Sequence, residues 1–261
     1  MSNNSIEFKI DNGIAFVSLN RPDVFNSFNR EMALSLQSVL DDCEQNETVR
    51  VIVLSGNGKA FCAGQDLKEV THPEENPGFR KILEEHYNPI ISRIRSIEKP
   101  IIAAVNGVAA GAGANIALAC DIVVASEAAS FIQAFSKIGL IPDSAGTYFL
   151  PRLIGFQKAS AIAMLGDKIT AVEAERIGMI YKYFSSESFV EEVNKIAAKM
   201  ANMPTKAFAL TKRAFNSSMT NDLKSQLALE SELQIEASES HDYNEGVNAF
   251  VEKRKPNFIG K

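Results

Sequence analysis

The chain has 261 residues, 46% of them hydrophobic and 23% charged, a composition that fits one large globular domain with a well-buried core and excludes extended disorder. Its net charge of −5 argues against a general nucleic-acid binder, whose footprint would be a basic face. Cys43, Cys62 and Cys120 are scattered and lack CxxC spacing, which argues against both a disulfide framework and a zinc site. The opening residues MSNNSIEFKIDNG hold no basic segment before an apolar run, and the apolar stretch 101–125 is broken by Asn106, glycines and Asp121. No secretory signal or membrane span is expected, and the expected setting is cytoplasmic.

Taken in chain order, segments 6–10 and 14–19 flank Asp11-Asn12-Gly13 and predict a β-hairpin. Met32, Leu36, Val39, Leu40 and Cys43 mark one stripe of an amphipathic helix, with Asn29 as its N-cap. The run 51–54 (VIVL) reads as a buried strand that ends in the turn Ser55-Gly56-Asn57-Gly58. Apolar residues between 79 and 97 recur at helical spacing, and Pro89 predicts a kink there. Residues 101–105 and 121–125 read as further strands, with Asp121 serving local backbone groups, and 108–119 as a turn and a buried helix. Such strand–turn–helix repeats argue α/β layering. After about residue 190 only helices are expected, over 188–202, 205–218 and 221–240, with Pro204 between the first two. The organisation expected is an α/β core over 1–200 followed by a helical region over 201–261.

Two loops carry the chemistry. Phe61-Cys62-Ala63-Gly64-Gln65-Asp66-Leu67 follows a strand and turn, and Gly64 allows a sharp reversal. Asn106-Gly107-Val108-Ala109-Ala110-Gly111-Ala112-Gly113-Ala114 also follows a strand and opens a helix, whose N-terminus offers unpaired N–H donors. Together the two loops could hold an oxyanion developing on a carbonyl oxygen. Tight strand–helix packing is the competing reading for either loop alone. Ile116 in the place of the third glycine and the mid-chain position of the loop argue against a dinucleotide fingerprint.

These stretches, with IGLIPDSAGTYFLPRLIG, NRPDVFNSFN (20–29) and EGVNAFVEKRKPNF (245–258), resemble the crotonase, or enoyl-CoA hydratase/isomerase, superfamily over essentially the whole chain. The resemblance implies an α/β spiral of ββα units, a C-terminal helical region that trimerises (singly or as a dimer of trimers), and an acyl-CoA thioester substrate. It implies oxyanion donors at the Gln65 and Ala112 N–H groups and coenzyme A contacts near Phe25, Ala63, Asp66, Leu67 and Lys68. Gly111 borders that site, and Phe250 and Lys253 match positions that touch coenzyme A bound to a neighbouring subunit. No metal or redox cofactor is implied, since coenzyme A arrives as part of the substrate, and neither a nucleic-acid nor a membrane partner is expected.

Hydratases of this superfamily position water with two glutamates, whose places are held here by Asn115 and Phe135. Neither side chain can act as general acid or base. The remaining carboxylate, Asp143, reads as a helix N-cap from sequence alone. It also stands where similar enzymes that isomerise double bonds or attack an aryl thioester place their working aspartate, and similar isomerases of ring epoxides such as 1,2-epoxyphenylacetyl-CoA have one aspartate and neither glutamate. Phe131, Phe135 and Ile138 are expected to wall Asp143 and raise its pKa, and Phe131, Phe135 and Tyr148 to give an apolar acyl pocket. Tyr87 could line the acyl pocket or pack in the core. His72, His86 and His241 show no metal spacing, and His86 is expected at a surface or semi-buried position, with a pocket-facing role as the alternative. The expected function is an acyl-CoA isomerase. Its rivals are an atypical hydratase and a non-catalytic CoA-ester or RNA-associated scaffold.

Overall fold

A computed structural model of the protein describes residues 5–71 and 76–261, so His72 lies outside the described residues. The hairpin forms where Asn12 and Gly13 take φ of 49° and 79°, the left-handed pair that a two-residue turn requires. It joins strands β1 (Ile6–Asp11) and β2 (Ile14–Leu19) antiparallel. The Asn29 side chain caps α1 (Arg30–Gln45) by accepting the Met32 N–H at 3.0 Å.

Three units of like plan follow. β3 (Val51–Gly56) leads into β4 (Ala60–Cys62) and then α2 (Leu67–Thr71), α3 (Phe79–Lys81) and α4 (Asn88–Ser96). β5 (Ile101–Val105) leads into β6 (Val108–Ala110) and α5 (Ala112–Leu118). β7 (Ile122–Ser126) leads into β8 (Ser130–Ile132), α6 (Gly146–Ile154) and α7 (Phe156–Leu165). The chain goes on through β9 (Lys168–Thr170), α8 (Ala171–Arg176), β10 (Lys182–Phe184) and α9 (Phe189–Ala201). In each unit the first strand enters a six-stranded sheet, ordered β1-β2-β3-β5-β7-β10. The second enters a four-stranded sheet, ordered β4-β6-β8-β9. The stepping of successive units along two sheets makes the spiral of ββα units.

Strand periodicity divides the core. Ile52, Leu54, Ile101, Ala103 and Val105 face one cluster, whereas Val51, Val53, Ile102, Ala104 and Val124 face the other. Helix α9 covers the second face with Phe189, Val193, Ala197 and Ala201, spaced one turn apart.

At Pro89 the expected kink takes the form of a π-helical turn, Ile82–Tyr87, between α3 and α4. Proline has no N–H to offer the Glu85 carbonyl, and its ring crowds that oxygen. Gln37 Nε2 takes over as donor, to Glu85 O at 2.8 Å and His86 O at 3.3 Å.

The C-terminal helices are α10 (Thr205–Ser218), α11 (Leu223–Ser238) and α12 (His241–Glu252). The last was not foreseen; Ser240 starts it by accepting the Tyr243 N–H at 3.0 Å. Asp121 fastens α10 to the core. It accepts Ile101 N–H at 2.9 Å, as a strand-opening aspartate should, and also pairs with Arg95 at 3.0 Å and Lys212 at 2.8 Å. Among the described residues no helix is long and apolar enough to cross a membrane.

Candidate active site

The first loop turns at Gly64, whose φ is +93°. Phe28 N–H donates to Gly64 O at 2.7 Å, and Asp66 N–H donates to Phe28 O at 2.8 Å. Gly64 C=O and Gln65 N–H belong to one trans peptide and point in opposite directions. With the carbonyl committed to Phe28, the Gln65 N–H is turned away from that segment.

The second loop works by the same geometry. Gly111 takes φ +53°, and its carbonyl accepts Asn115 N–H at 3.2 Å along the axis of α5. The Ala112 N–H therefore points out of the helix N-terminus, where no intrahelical acceptor exists. Neither the Gln65 nor the Ala112 N–H finds an acceptor among the described residues. The loops lie against each other, since a β-carbon on Gly64 would sit 3.1 Å from Ala110 O and 3.6 Å from Ala112 N. Gly113 is tighter still: a β-carbon there would meet Cys62 O at 2.4 Å.

Both N–H-bearing residues line a cavity of about 450 Å³. Phe79, Ile82, Tyr87, Phe135, Ile138 and Leu140 give it a largely apolar lining, and Asp143 is the one carboxyl group lining it among the described residues. Ser144 and Ala145, both left-handed with φ of 49° and 60°, turn the chain after Asp143. The Ser144 hydroxyl donates to Asp143 Oδ1 at 2.9 Å. Burial pushes the Asp143 carboxyl above the usual aspartate range, and that hydroxyl pulls weakly the other way. Asp143 does not cap α6: Ala145 holds the cap position, and Asp143 contributes only its backbone oxygen, to the Gly146 N–H at 2.8 Å.

A family model described as enoyl-CoA hydratase/isomerase matches residues 9–261. The chain belongs to this family. It is 44% identical to the 1,2-epoxyphenylacetyl-CoA isomerase of Escherichia coli (strain K12), over 97% of each chain. It is equally 44% identical to a probable enoyl-CoA hydratase of Rhodobacter capsulatus over the full length of both. Among solved structures, the enoyl-CoA hydratase of Bacillus anthracis superposes with a TM-score of 0.92 at 32% identity, covering 98% of this chain and all of that one.

Not every residue expected from the enoyl-CoA hydratase/isomerase pattern reaches the cavity. Ala63, Leu67, Tyr87, Gly111 and Phe135 do. Asn115 does not: it is buried, donating to Asp143 O at 2.8 Å and accepting from Gln133 Nε2 at 2.7 Å. Asp66 is engaged with the Arg21 guanidinium at 2.9 Å and the Lys68 N–H at 3.0 Å. Lys68 sits on the exposed first turn of α2. Phe25 stands exposed in a left-handed turn, and its carbonyl holds the Ala63 N–H at 2.9 Å. Phe250 is 85% exposed on α12, and Lys253 closes that helix at φ +55°.

Two expected walls are corrected. Phe131 is buried in the core rather than at the cavity. Tyr148 packs edge-on against Phe149 and under the Arg152 guanidinium, 3.8 Å from its ring centroid. The 3-10 turn Ala134–Ile138 re-aims this segment, so that Phe135 and Ile138 supply the wall. His86 is fully buried rather than exposed or pocket-facing, with Nε2 3.3 Å from Arg30 Nη1. Ser144, Leu140 and Ile82 were missed by sequence reasoning; the Asp-Ser pair before a helix was the available signal for the first.

Proposed function

We propose that the protein is an acyl-CoA isomerase. The Gln65 and Ala112 N–H groups bind the thioester oxygen, and the Asp143 carboxylate removes a proton from the α carbon of a β,γ-enoyl thioester. Charge moves to the oxygen as a dienolate, where the two donors stabilise it; losing one such donor typically costs about 2.7–4 kcal/mol. Asp143 then returns the proton at the γ carbon. The observation that carries this reading is that Asp143 is the one carboxyl group lining the cavity among the described residues. Isomerisation needs a single proton carrier, whereas hydration must also activate water, and Phe135 holds apolar surface where a hydratase would keep a glutamate.

The likeness to a 1,2-epoxyphenylacetyl-CoA isomerase and the aromatic wall at Phe135 favour an aryl or long enoyl acyl group. The exposed Phe250 and the helix-terminal Lys253 suit the face of a homotrimer, in which they would reach coenzyme A on a neighbouring subunit; the setting proposed is the cytoplasm. The test is mass-resolved product analysis with a 3-enoyl-CoA, 1,2-epoxyphenylacetyl-CoA and crotonyl-CoA, for the wild type and Asp143→Asn. Isomerised product that disappears in Asp143→Asn supports the proposal. Rapid hydration of crotonyl-CoA, or isomerisation that survives the substitution in a folded variant, overturns it.

A further inference from the structure

The chemistry proposed above uses only the backbone of Gln65, yet its side chain is held at both ends. Oε1 accepts a hydrogen bond from the Tyr87 hydroxyl at 2.9 Å, and Nε2 donates to Glu69 Oε2 at 2.6 Å. Glu69 Oε1 accepts the Arg30 backbone N–H at 2.8 Å, which ties the row to the first turn of α1. The polarity of the row follows from its donors. A carboxylate only accepts, so the Gln65 amide turns its nitrogen to Glu69 and its oxygen to Tyr87. The phenol proton is thereby directed at Gln65 and not into the cavity. Tyr87 is 1% exposed, and burial holds its phenol far above the ordinary tyrosine range, so this proton stays in place.

Gly64 explains why such a row matters. A glycine at φ +93° leaves the next peptide free to rock, and the Phe28 bridge holds that peptide by its carbonyl alone. An oxyanion donor is effective only when its direction is fixed before the charge develops.

We infer that Tyr87, the Gln65 side chain and Glu69 form a brace that fixes the direction of the Gln65 N–H, with Tyr87 and Glu69 as positioning residues. The inference rests on the proposed binding of a thioester oxygen at that N–H. It reaches beyond that reading, because it gives a cavity-wall tyrosine and a helix glutamate a share in carbonyl polarisation.

The carbonyl stretch of a bound, ¹³C-labelled conjugated enoyl-CoA reads this polarisation directly, whatever the turnover. Wild type should lower the frequency relative to free thioester, and Tyr87→Phe and Gln65→Met should each lose part of that lowering. With a preferred substrate each should cut kcat about tenfold while KM stays within about twofold. The double variant should be no worse than the weaker single one, because both cut the same brace. Gln65→Met keeps the backbone N–H and carries the test alone if Tyr87→Phe does not fold. An unchanged frequency and kcat in the single variants, or effects that multiply in the double one, would overturn the brace. A wild-type spectrum without any lowering would instead overturn the thioester site itself, and the brace with it.

Discussion

Asn115 Nδ2 donates to the backbone carbonyl of Asp143 at 2.8 Å, so the residue standing where a hydratase keeps a glutamate fastens the segment that carries the one carboxyl group lining the cavity among the described residues. Its other end is equally engaged, accepting from Gln133. Asn115→Ala would leave the buried Gln133 amide unpaired and the Asp143 carbonyl held by the Gly146 N–H alone, a loss of about 1–3 kcal/mol in urea unfolding. A fall in kcat of about tenfold should accompany it, since the base would lose its bearing on substrate. Full kcat in Asn115→Ala would refute that positioning role.

Asp143 gives opposite pH signatures in activity and stability. Only its ionised form takes a proton, so kcat/KM should rise with pH through its raised pKa and then level, and Asp143→Asn should lose about 10²–10⁴ in kcat. In the fold its pKa lies above the unfolded value, so the native state binds more protons and ionisation destabilises it as pH rises. That penalty is absent below the ordinary aspartate range and complete above the raised pKa. Asp143→Asn should therefore melt above wild type at neutral pH, with the gap closing as the medium is acidified. A gap independent of pH would contradict the burial argument.

Asp121 stands between two cations, and the side chain of Lys212 is only 7% exposed. Burial already draws the Lys212 ammonium below the ordinary lysine pKa, with Asp121 opposing that fall. Asp121→Asn should destabilise by about 3–5 kcal/mol, because an uncompensated buried charge remains. Adding Lys212→Met should restore much of the loss, as denaturant titration would show. If the double variant is as unstable as Asp121→Asn alone, the charge account fails.

Gly113→Ala would drive a β-carbon to 2.4 Å from Cys62 O, forcing apart the strand and helix that carry the two loops. Overpacking of this sort costs about 1–3 kcal/mol or more. Trimming the neighbour by Cys62→Ala should bring no relief, since the nearest atom is backbone. Thermal melting and kcat of Gly113→Ala, Cys62→Ala and the double variant would decide it, and a double variant restored to the Cys62→Ala level would overturn the backbone clash.

The sequence made long elements legible and short ones not. The hairpin, α1, β3, β5 and α9 announce themselves through turn chemistry or through periods sustained over several residues. The strands β4, β6 and β8 are three residues each, too short to show alternation, so the second sheet was invisible. At the site, the glycine loops and Asp143 were readable because each is a contiguous motif. The bond from Tyr87 to Gln65 joins residues 22 apart and leaves no local trace. Phe131 and Phe135 look alike in sequence, and only the 3-10 turn between β8 and Gly139 decides which faces the cavity.

The π-helical turn before Pro89 is, in effect, one residue of surplus inserted in a helix. Deleting that surplus would rewind the segment by about 100° per residue and carry Ile82 and Phe79 off the cavity wall, leaving Tyr87 and α4 in place. The apolar lining at Ile82 and the Tyr87–Gln65 bond are thus set from the two ends of one helical irregularity.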